Sequence, residues 1–353
     1  MALQSVTKIQ LSKEKVVACL KNNRFLWLLL LSVFLIACGE DGTEEEKSEV
    51  IYEKNQAIEV DSYVAGDIKM VELMGEGCKE GEAYIEEEDI CTLILDCDNY
   101  DSCIEWGNEI VANLKDTYGS LLLEESVPTN IDGLDVIATY DVDLNTEEIT
   151  TEDDLSQNTV DYHGGLWYSF AWLIPEYERF DMNRFEVFQS GDTLAHVYIH
   201  DEEAASDWTL GMNNENIELA SETMITYIHE FAHLLSLRET EVDYYYPDSG
   251  CETVFLDERC FFEDAYMTDF TNQFYSDGTP EATEDHYVSD YATTSITEDF
   301  AETFAHFVLS PQPAGDTLVE EKILFFYQYE NLIPLRAEIL SRAATWLDRT
   351  VTD

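Results

Sequence analysis

MITYIHEFAHLLSL, residues 224–237, places the spacing H-E-x-x-H inside an apolar run. The run predicts a buried helix, and His229 and His233, four residues apart, then lie on one helical face. Both imidazoles can bind one metal ion, while Glu230 is offset around the helix and can reach a water molecule beside that metal. The pattern therefore predicts a metal site suited to hydrolysis.

A motif this short also arises by chance. The chain has 7 histidines and is rich in glutamate. In a sequence of this length and composition, the probability of one accidental H-E-x-x-H is about 2%. A third ligand at a suitable place in the sequence would distinguish a metal site from such a coincidence.

The stretch DYATTSITEDFAETFAHFV, residues 290–308, supplies two candidate carboxylates on a second predicted helix. Helical spacing places Glu298 and Glu302 on one face, beside an apolar stripe. Glu298 can complete a His, His, Glu zinc set that leaves the fourth position to water. Glu302, one turn further on, can accept the free N–H of a liganding histidine. The alternative is that both carboxylates form a solvated face of a very acidic protein.

Three features together resemble the catalytic domain of anthrax lethal factor and the related bacterial zinc-peptidase lipoproteins, among the gluzincins. They are H-E-F-A-H at residues 229–233, Tyr291 seven positions before Glu298, and the run E-D-F-A-E-T-F that starts at Glu298. The resemblance extends from about residue 165 to the C-terminus and is loose between the motifs. It implies that zinc is bound by two histidines and the first glutamate of the second motif, namely His229, His233 and Glu298.

The same resemblance implies a zinc-dependent endopeptidase. Glu230 would be the general base that takes the proton of a zinc-activated water, and Tyr291 would stabilise the oxyanion. The predicted strand Thr193–His200 would pair with an extended substrate backbone. The alternative is a non-catalytic surface-binding lipoprotein that keeps a structural zinc site, although structure alone requires neither Glu230 nor Tyr291. An enzyme that processes a single partner protein would carry the same motifs.

Two other glutamates compete with Glu298 as the third ligand. Glu239 lies six residues after the second histidine, at the metzincin spacing, but Ser236 stands where metzincins need a glycine that ends the helix. Glu252 lies near the spacing of thermolysin-like enzymes, in a segment without a helical pattern. We therefore expect Glu298 to be the ligand, with Glu239 as the alternative.

The pattern from Tyr162 onward mixes helices and strands and indicates an α+β fold. We expect a zincin-like metallopeptidase domain over residues 124–353, with a small mixed sheet, the active-site helix and a helical C-terminal lobe. Its predicted elements are a buried helix over Gly165–Phe180 that kinks or ends at Pro175, strands Asn183–Ser190 and Thr193–His200, and a helical segment Thr317–Asp348.

Residues 1–37 predict a targeting segment that is separate from the fold. Basic residues precede the apolar run Phe25–Ala37, which is shorter than the roughly 20 residues of a membrane span. The run ends in Leu-Ile-Ala-Cys38, which resembles the lipobox of bacterial lipoproteins, so we expect Cys38 to carry a lipid anchor. Residues 38–59 would be the acidic tether of an exported protein that faces the periplasm or the cell surface. An ordinary signal peptide or an uncleaved anchor is the alternative.

The charge balance limits the classes of partner. The chain has 18 Lys and Arg against 75 Asp and Glu, a net charge of −57. Removal of residues 1–37, which carry five basic residues and one acidic residue, would leave a net charge near −61. Such a surface repels nucleic acid and anionic lipid headgroups. We therefore expect a protein or peptide substrate, no nucleic-acid partner, and a membrane contact only through the lipid anchor.

Six cysteines follow Cys38, and an even number in an exported protein predicts three disulfides. We expect Cys251 to pair with Cys260 across a short loop. The four early cysteines would pair among themselves within an N-terminal segment of residues 60–123; they are Cys78, Cys91, Cys97 and Cys103. A zinc site built from these four is the alternative, although their spacings lack C-x-x-C. The second half of the segment, Asp101–Leu123, has helical spacing and predicts an amphipathic helix.

An acidic stretch after residue 140 matches part of a calcium loop. Asp141, Asp143, Asn145 and Glu152 stand at its positions one, three, five and twelve. The sixth position requires a glycine turn, and Thr146 is β-branched, which makes that backbone costly. We interpret the stretch as an acidic surface loop, with a Ca²⁺ site as the alternative.

Overall fold

The computed structural model describes residues 56–57, 82–85, 90–95, 97–122, 134–144, 146–179, 181–189, 193–200, 207–214, 220–245, 250–275 and 286–350. The predicted signal peptide, Cys38, the acidic tether and Cys78 lie outside these ranges and stay predictions. Among the helices within them, none combines the length and apolar character that a bilayer span requires.

Strands and helices are interspersed along the described chain, which confirms the α+β prediction. The strands are β1 (Gln56–Ala57), β2 (Glu82–Ile85), β3 (Ile90–Leu95), β4 (Asp135–Val142), β5 (Ile149–Thr150), β6 (Met182–Gln189), β7 (Ala195–Ile199), β8 (Trp208–Asn213), β9 (Val242–Asp243), β10 (Val254–Leu256) and β11 (Arg259–Phe261). The α-helices are α1 (Tyr100–Tyr118), α2 (Gln157–Leu173), α3 (Ala220–Ser236), α4 (Tyr266–Phe274), α5 (Ile296–Leu309), α6 (Leu318–Phe325) and α7 (Leu332–Thr350).

The main sheet has five strands in the order β5–β4–β6–β8–β7. β6 and β8 pair in parallel, and the other neighbours pair antiparallel. Every residue of β8 is buried, as expected for an inner strand covered on both faces. β7 ends the order, so its second edge is unpaired within the described sheet. The predicted strands Asn183–Ser190 and Thr193–His200 correspond to β6 and β7.

Helices α2 and α3 pack together beside this sheet. The Tyr227 hydroxyl of α3 donates to the Leu166 carbonyl of α2 at 2.7 Å, and the Trp167 and Phe185 rings join α2 to β6. The helix predicted over Gly165–Phe180 forms, but it begins eight residues earlier and ends before Pro175. Proline disfavours helical backbone in the residue before it, so the helix stops at this point.

The C-terminal lobe is built around aromatic side chains. Phe326, in the 3-10 turn Phe326–Gln328, contacts the rings of Phe270, Phe300, Phe304 and Phe307, which come from α4 and α5. The segment predicted as helical over Thr317–Asp348 is divided by this turn into α6 and α7. The break at Glu330 and Asn331 is exposed, and Pro334 lies in the first turn of α7, where its missing N–H costs nothing.

Two disulfides lie in the described chain, and both agree with the sequence prediction. Cys251–Cys260 closes the β10–β11 hairpin. Cys97–Cys103 lies at the start of α1 and packs against Ile333 and Ala337 of α7. Helix α1 therefore rests on the C-terminal helix, with the capping box of Asn99 and Ser102 fixing its first turn. Of the other early cysteines, only the backbone of Cys91 is described, in β3.

The β10–β11 hairpin reaches the helix that carries Glu298. Its turn residues, Asp257 and Glu258, both have positive φ, as a two-residue type I′ turn requires. The Asp257 carboxylate accepts a hydrogen bond of 2.8 Å from the Thr297 hydroxyl, at the first turn of α5. The hairpin tip therefore lies beside the start of α5.

Candidate metal centre

Three side chains from two helices converge at one point. His229 and His233 come from α3, and Glu298 comes from α5. Their Nε2, Nε2 and Oε2 atoms are 3.1 Å apart for the two histidines, 3.1 Å for His229 and Glu298, and 3.2 Å for His233 and Glu298. In the described chain, this is the group of His, Cys, Asp and Glu side chains whose geometry can hold a metal ion.

The donor set and its spacing fit zinc. Zinc binds histidine nitrogen and carboxylate oxygen at about 2.0–2.2 Å in a tetrahedral arrangement, which separates neighbouring ligand atoms by about 3.3 Å. The three observed separations are within a few tenths of an ångström of that value. Two imidazoles and one carboxylate also form the ligand set of a catalytic site that keeps one position open.

The local sequence explains how each helix presents its ligands. The four-residue spacing puts both imidazoles on one face of α3, whose other faces are buried by apolar side chains. On α5, the Ser295 hydroxyl caps the helix by accepting the Glu298 backbone N–H at 3.0 Å. Glu298 lies in the first turn of the capped helix and Glu302 one turn further on, so both glutamates face α3.

Glu302 lies behind His229, as the sequence predicted. Its Oε1 is 2.7 Å from His229 Nδ1, and its Oε2 accepts a 2.6 Å hydrogen bond from the Ser289 hydroxyl. A carboxylate accepts, so the imidazole donates through Nδ1. His229 Nε2 then faces His233 and Glu298, the orientation that a metal ligand needs.

The electrostatics of the centre favour a cation between these groups. Burial lowers the pKa of His229, but hydrogen bonds and charges from Glu298 and Glu302 outweigh it and hold that pKa well above its usual range. Burial raises the pKa of Glu298, but His233 and His229 outweigh it and hold that pKa well below its usual range. The carboxylates therefore stabilise positive charge in the space that the three ligand atoms share.

Glu230 is buried beside the group, with 6% of its surface exposed. Burial raises its pKa, and the nearby charge of Glu298 acts in the same direction. His229 and His233, and a hydrogen bond from the Val197 backbone N–H of β7, oppose that shift without cancelling it. A carboxylate whose pKa is raised is a stronger base than an ordinary surface glutamate.

Tyr291 packs against the ring of His229. Its ring stacks on the imidazole with centroids 5.7 Å apart and planes inclined by 29°. The residue is buried and begins the 3-10 turn Tyr291–Thr293, which leads into α5. The resemblance implied that Tyr291 stabilises the oxyanion; its ring lies against a candidate ligand, and that role stays a prediction.

The competing ligands lie elsewhere. Glu239 is exposed in the turn after α3, and Glu252 is exposed before β10. Asp141 lies in β4, opposite Thr150 of β5, and among the described residues of that loop Glu147, rather than Thr146, has positive φ. Glu147 forms an ion pair with Arg179. The calcium alternative therefore has no support among the described residues.

Two contacts of the centre were not predicted from the sequence. The Val197 N–H on Glu230 depends on where β7 lies in the sheet, and the Ser289 hydroxyl on Glu302 depends on the path of the chain before Tyr291. The one available signal for Ser289 was its position two residues before the predicted tyrosine. A serine at that place is also common in ordinary turns.

Comparison with known proteins agrees with this chemistry. Residues 190–319 match the model of a family described as "Putative zinc-binding metallo-peptidase". The matched region contains α3, α5 and the three converging side chains. No curated protein and no solved structure matches the chain. The family match supports a zinc metallopeptidase, and hence a protein or peptide substrate.

Proposed function

We propose that the protein is an exported, membrane-anchored zinc-dependent endopeptidase. The observation that carries the proposal is the convergence of His229, His233 and Glu298 within 3.2 Å, next to the buried Glu230. We assign the three converging residues as the zinc ligands. A structural zinc site would need no buried carboxylate beside its ligands, so Glu230 favours catalysis over a purely structural role.

A bound zinc ion supplies Lewis acidity, which lowers the pKa of a nearby water and polarises a peptide carbonyl. Glu230 acts as the general base, because its raised pKa and its place beside the ligands suit it to take a proton from that water. The same carboxyl then gives the proton to the leaving amine. Burial of Glu230 keeps bulk solvent from competing for this proton.

Tyr291 is the proposed oxyanion donor. Stacking on His229 fixes its ring beside the ligands, and a phenol hydroxyl can donate to the oxygen on which negative charge develops. Such a hydrogen bond lowers the barrier when it strengthens in the transition state.

The edge of β7 that is unpaired within the described sheet is the proposed substrate platform. Asn213 N–H donates to Leu194 O and His200 N–H donates to Asp207 O, so even-numbered residues of this region pair with β8. In an antiparallel strand the intervening residues direct their N–H and C=O outward. Val197 is one of them, and its N–H meets Glu230. An extended peptide that added to this edge would therefore pass directly in front of the general base.

Two finer assignments extend this proposal. The pair of Glu298 and Glu302 on one helix, with Tyr291 before it, supports assignment of the protein to the gluzincin class and, within it, to the lethal factor-type members. The disulfides Cys97–Cys103 and Cys251–Cys260 support export, since such bonds persist in oxidising compartments. Anchoring would follow from acylation of Cys38 and would leave the domain facing the periplasm or the cell surface.

The test compares wild type with Glu230→Gln for zinc content and for hydrolysis of a mixed peptide library. We expect both proteins to bind one zinc, and the variant to lose about 10²–10⁴-fold in hydrolysis rate. Glu239→Gln is the matched control, because this exposed competing ligand should change neither property. Equal activity of Glu230→Gln and wild type would remove the proposed base. Zinc binding without hydrolysis in wild type would favour the surface-binding alternative.

A further inference from the structure

We propose that Ser289 is a positioning residue, which connects the zinc ligand His229, through Glu302, to the turn that carries the oxyanion donor Tyr291. The inference rests on the proposed function, because it concerns the same site. It assigns no chemistry to Ser289 itself. The hydroxyl acts through Glu302 on one side and through the turn that carries Tyr291 on the other.

The directions of the hydrogen bonds around Ser289 follow from the groups present. Glu302 is a carboxylate and can only accept, so the Ser289 hydroxyl donates its single proton to Glu302 Oε2, with 2.6 Å between the two oxygens. Ser289 Oγ is then free to accept the Ala292 backbone N–H at 3.1 Å. The other oxygen of Glu302 accepts from His229 Nδ1 at 2.7 Å. The chain of donors runs from Ala292 through Ser289 to Glu302, where it meets the donor from His229.

This chain fixes two parts of the site together. Ala292 follows Tyr291 in the 3-10 turn, so the hydroxyl that orients Glu302 also holds the backbone beside Tyr291. The Tyr291 ring in turn stacks on His229 at 5.7 Å. His229 and Tyr291 are therefore connected twice, by direct ring contact and through Glu302 and Ser289.

The residues that precede Ser289 in the chain also fix its position. Lys322 of α6 donates to the His286 carbonyl at 2.8 Å, and its ammonium lies 4.2 Å from the Tyr287 ring centroid. The contacts of Lys322 thus hold the segment before Ser289, while Ser289 itself contacts Glu302 of the metal centre. A simple turn cap needs only the bond from Ala292. The proton given to Glu302, on a different element, is what indicates a role in the site.

The experiment measures zinc affinity by competition with a chromogenic chelator, together with kcat and KM, for Ser289→Ala and Ser289→Thr. Loss of a side chain that hydrogen-bonds a zinc ligand typically lowers zinc affinity by about 10- to 100-fold. Because Ser289 is one bond further out, we expect Ser289→Ala to lose about fivefold to tenfold in zinc affinity and to lower kcat more than KM. Ser289→Thr, which keeps the hydroxyl, should recover most of both. Thr293→Ala is the matched control, because it removes a hydroxyl of the same turn that donates to the Asp290 carbonyl at 2.7 Å.

A double mutant separates a role in the site from a role in folding. If Ser289 acts through Glu302, Ser289→Ala combined with Glu302→Gln should bind zinc no more weakly than Glu302→Gln alone. Unchanged zinc affinity in Ser289→Ala, with a lowered melting temperature of the metal-free protein, would overturn the proposal while the proposed function stands. Zinc binding without hydrolysis in wild type would remove the proposed function, and the affinities would still decide the role of Ser289. A wild type that binds no zinc would overturn both.

Discussion

Glu298 and Asp299 are neighbours on α5, and their carboxylates enter two different polar clusters. Glu298 faces His229 and His233, and 21% of its side chain is exposed. Asp299 is fully buried and accepts hydrogen bonds of 2.6 Å from both Lys322 Nζ and the Tyr275 hydroxyl. Each carboxylate therefore faces basic side chains, but of different kinds.

The difference lies in whether the positive charge can leave. Burial raises the pKa of Asp299 and lowers the pKa of Lys322, and each partner's charge only opposes that shift. The lysine is part of the fold and stays in place. The two imidazoles facing Glu298 can instead bind an exchangeable metal ion through their ring nitrogens. Asp299 and Lys322 therefore form a structural cluster, whereas Glu298 and the two histidines can form a metal-binding site.

The largest expected effect is on the structural cluster. Lys322→Met should destabilise the protein by about 3–5 kcal/mol, because Asp299 would remain buried without its cation. For a domain of this size that corresponds to a fall in melting temperature of about 10 °C. Adding Asp299→Asn should recover much of the loss, since it removes the unpaired charge.

Glu298→Gln is the matched control for that experiment. It removes a carboxylate from the neighbouring position of the same helix, and we expect the melting temperature of the metal-free protein to change by only about 2 °C. If thermal unfolding without zinc showed equal losses for Lys322→Met and Glu298→Gln, the contrast between the two clusters would be wrong.

Glu241 is a third carboxylate removed from solvent, and its expected effect on stability is smaller. Its carboxylate accepts the Tyr266 backbone N–H at 2.8 Å, and burial raises its pKa to about 7. The folded chain thus holds this proton more tightly than the unfolded chain, so the contribution of Glu241 to stability falls as pH rises from about 4.5 to 7. Above that range the buried charge is a net cost.

Glu241→Gln should therefore raise the melting temperature at pH 8 by about 2 °C, or about 1 kcal/mol, with a gain that shrinks towards pH 5. Thermal unfolding at both pH values measures this, and the exposed Glu239→Gln is the control. A gain of the same size at pH 5 and pH 8 would mean that charge burial is not its cause.

Much of the site was predictable because it depends on helical periodicity. The spacing of His229, His233, Glu298 and Glu302 fixes which residues share a face, and two amphipathic helices that bury their apolar stripes must bring those faces together. Ser236, in place of the glycine that metzincins need, disfavoured Glu239, and the family resemblance favoured Glu298. The convergence is now a structural fact, and its occupation by zinc is the proposal.

The parts that the sequence did not predict depend on tertiary contacts. Helix α2 was placed too late because its first two turns, Gln157–Tyr162, are mostly polar and lack the apolar signal of its buried half. The calcium pattern has no support among the described residues, where pairing with β5 puts Asp141 in a strand. Val197 and Ser289 act through a backbone amide and a turn hydroxyl, and neither leaves a periodic pattern.

The most direct test of the account is anomalous X-ray diffraction at the zinc edge from crystals of the wild-type protein purified with zinc. We predict one zinc peak at about 2.0–2.2 Å from His229 Nε2, His233 Nε2 and a carboxylate oxygen of Glu298. A zinc ion held by other residues, or an empty centre with Glu298 turned to solvent, would contradict it.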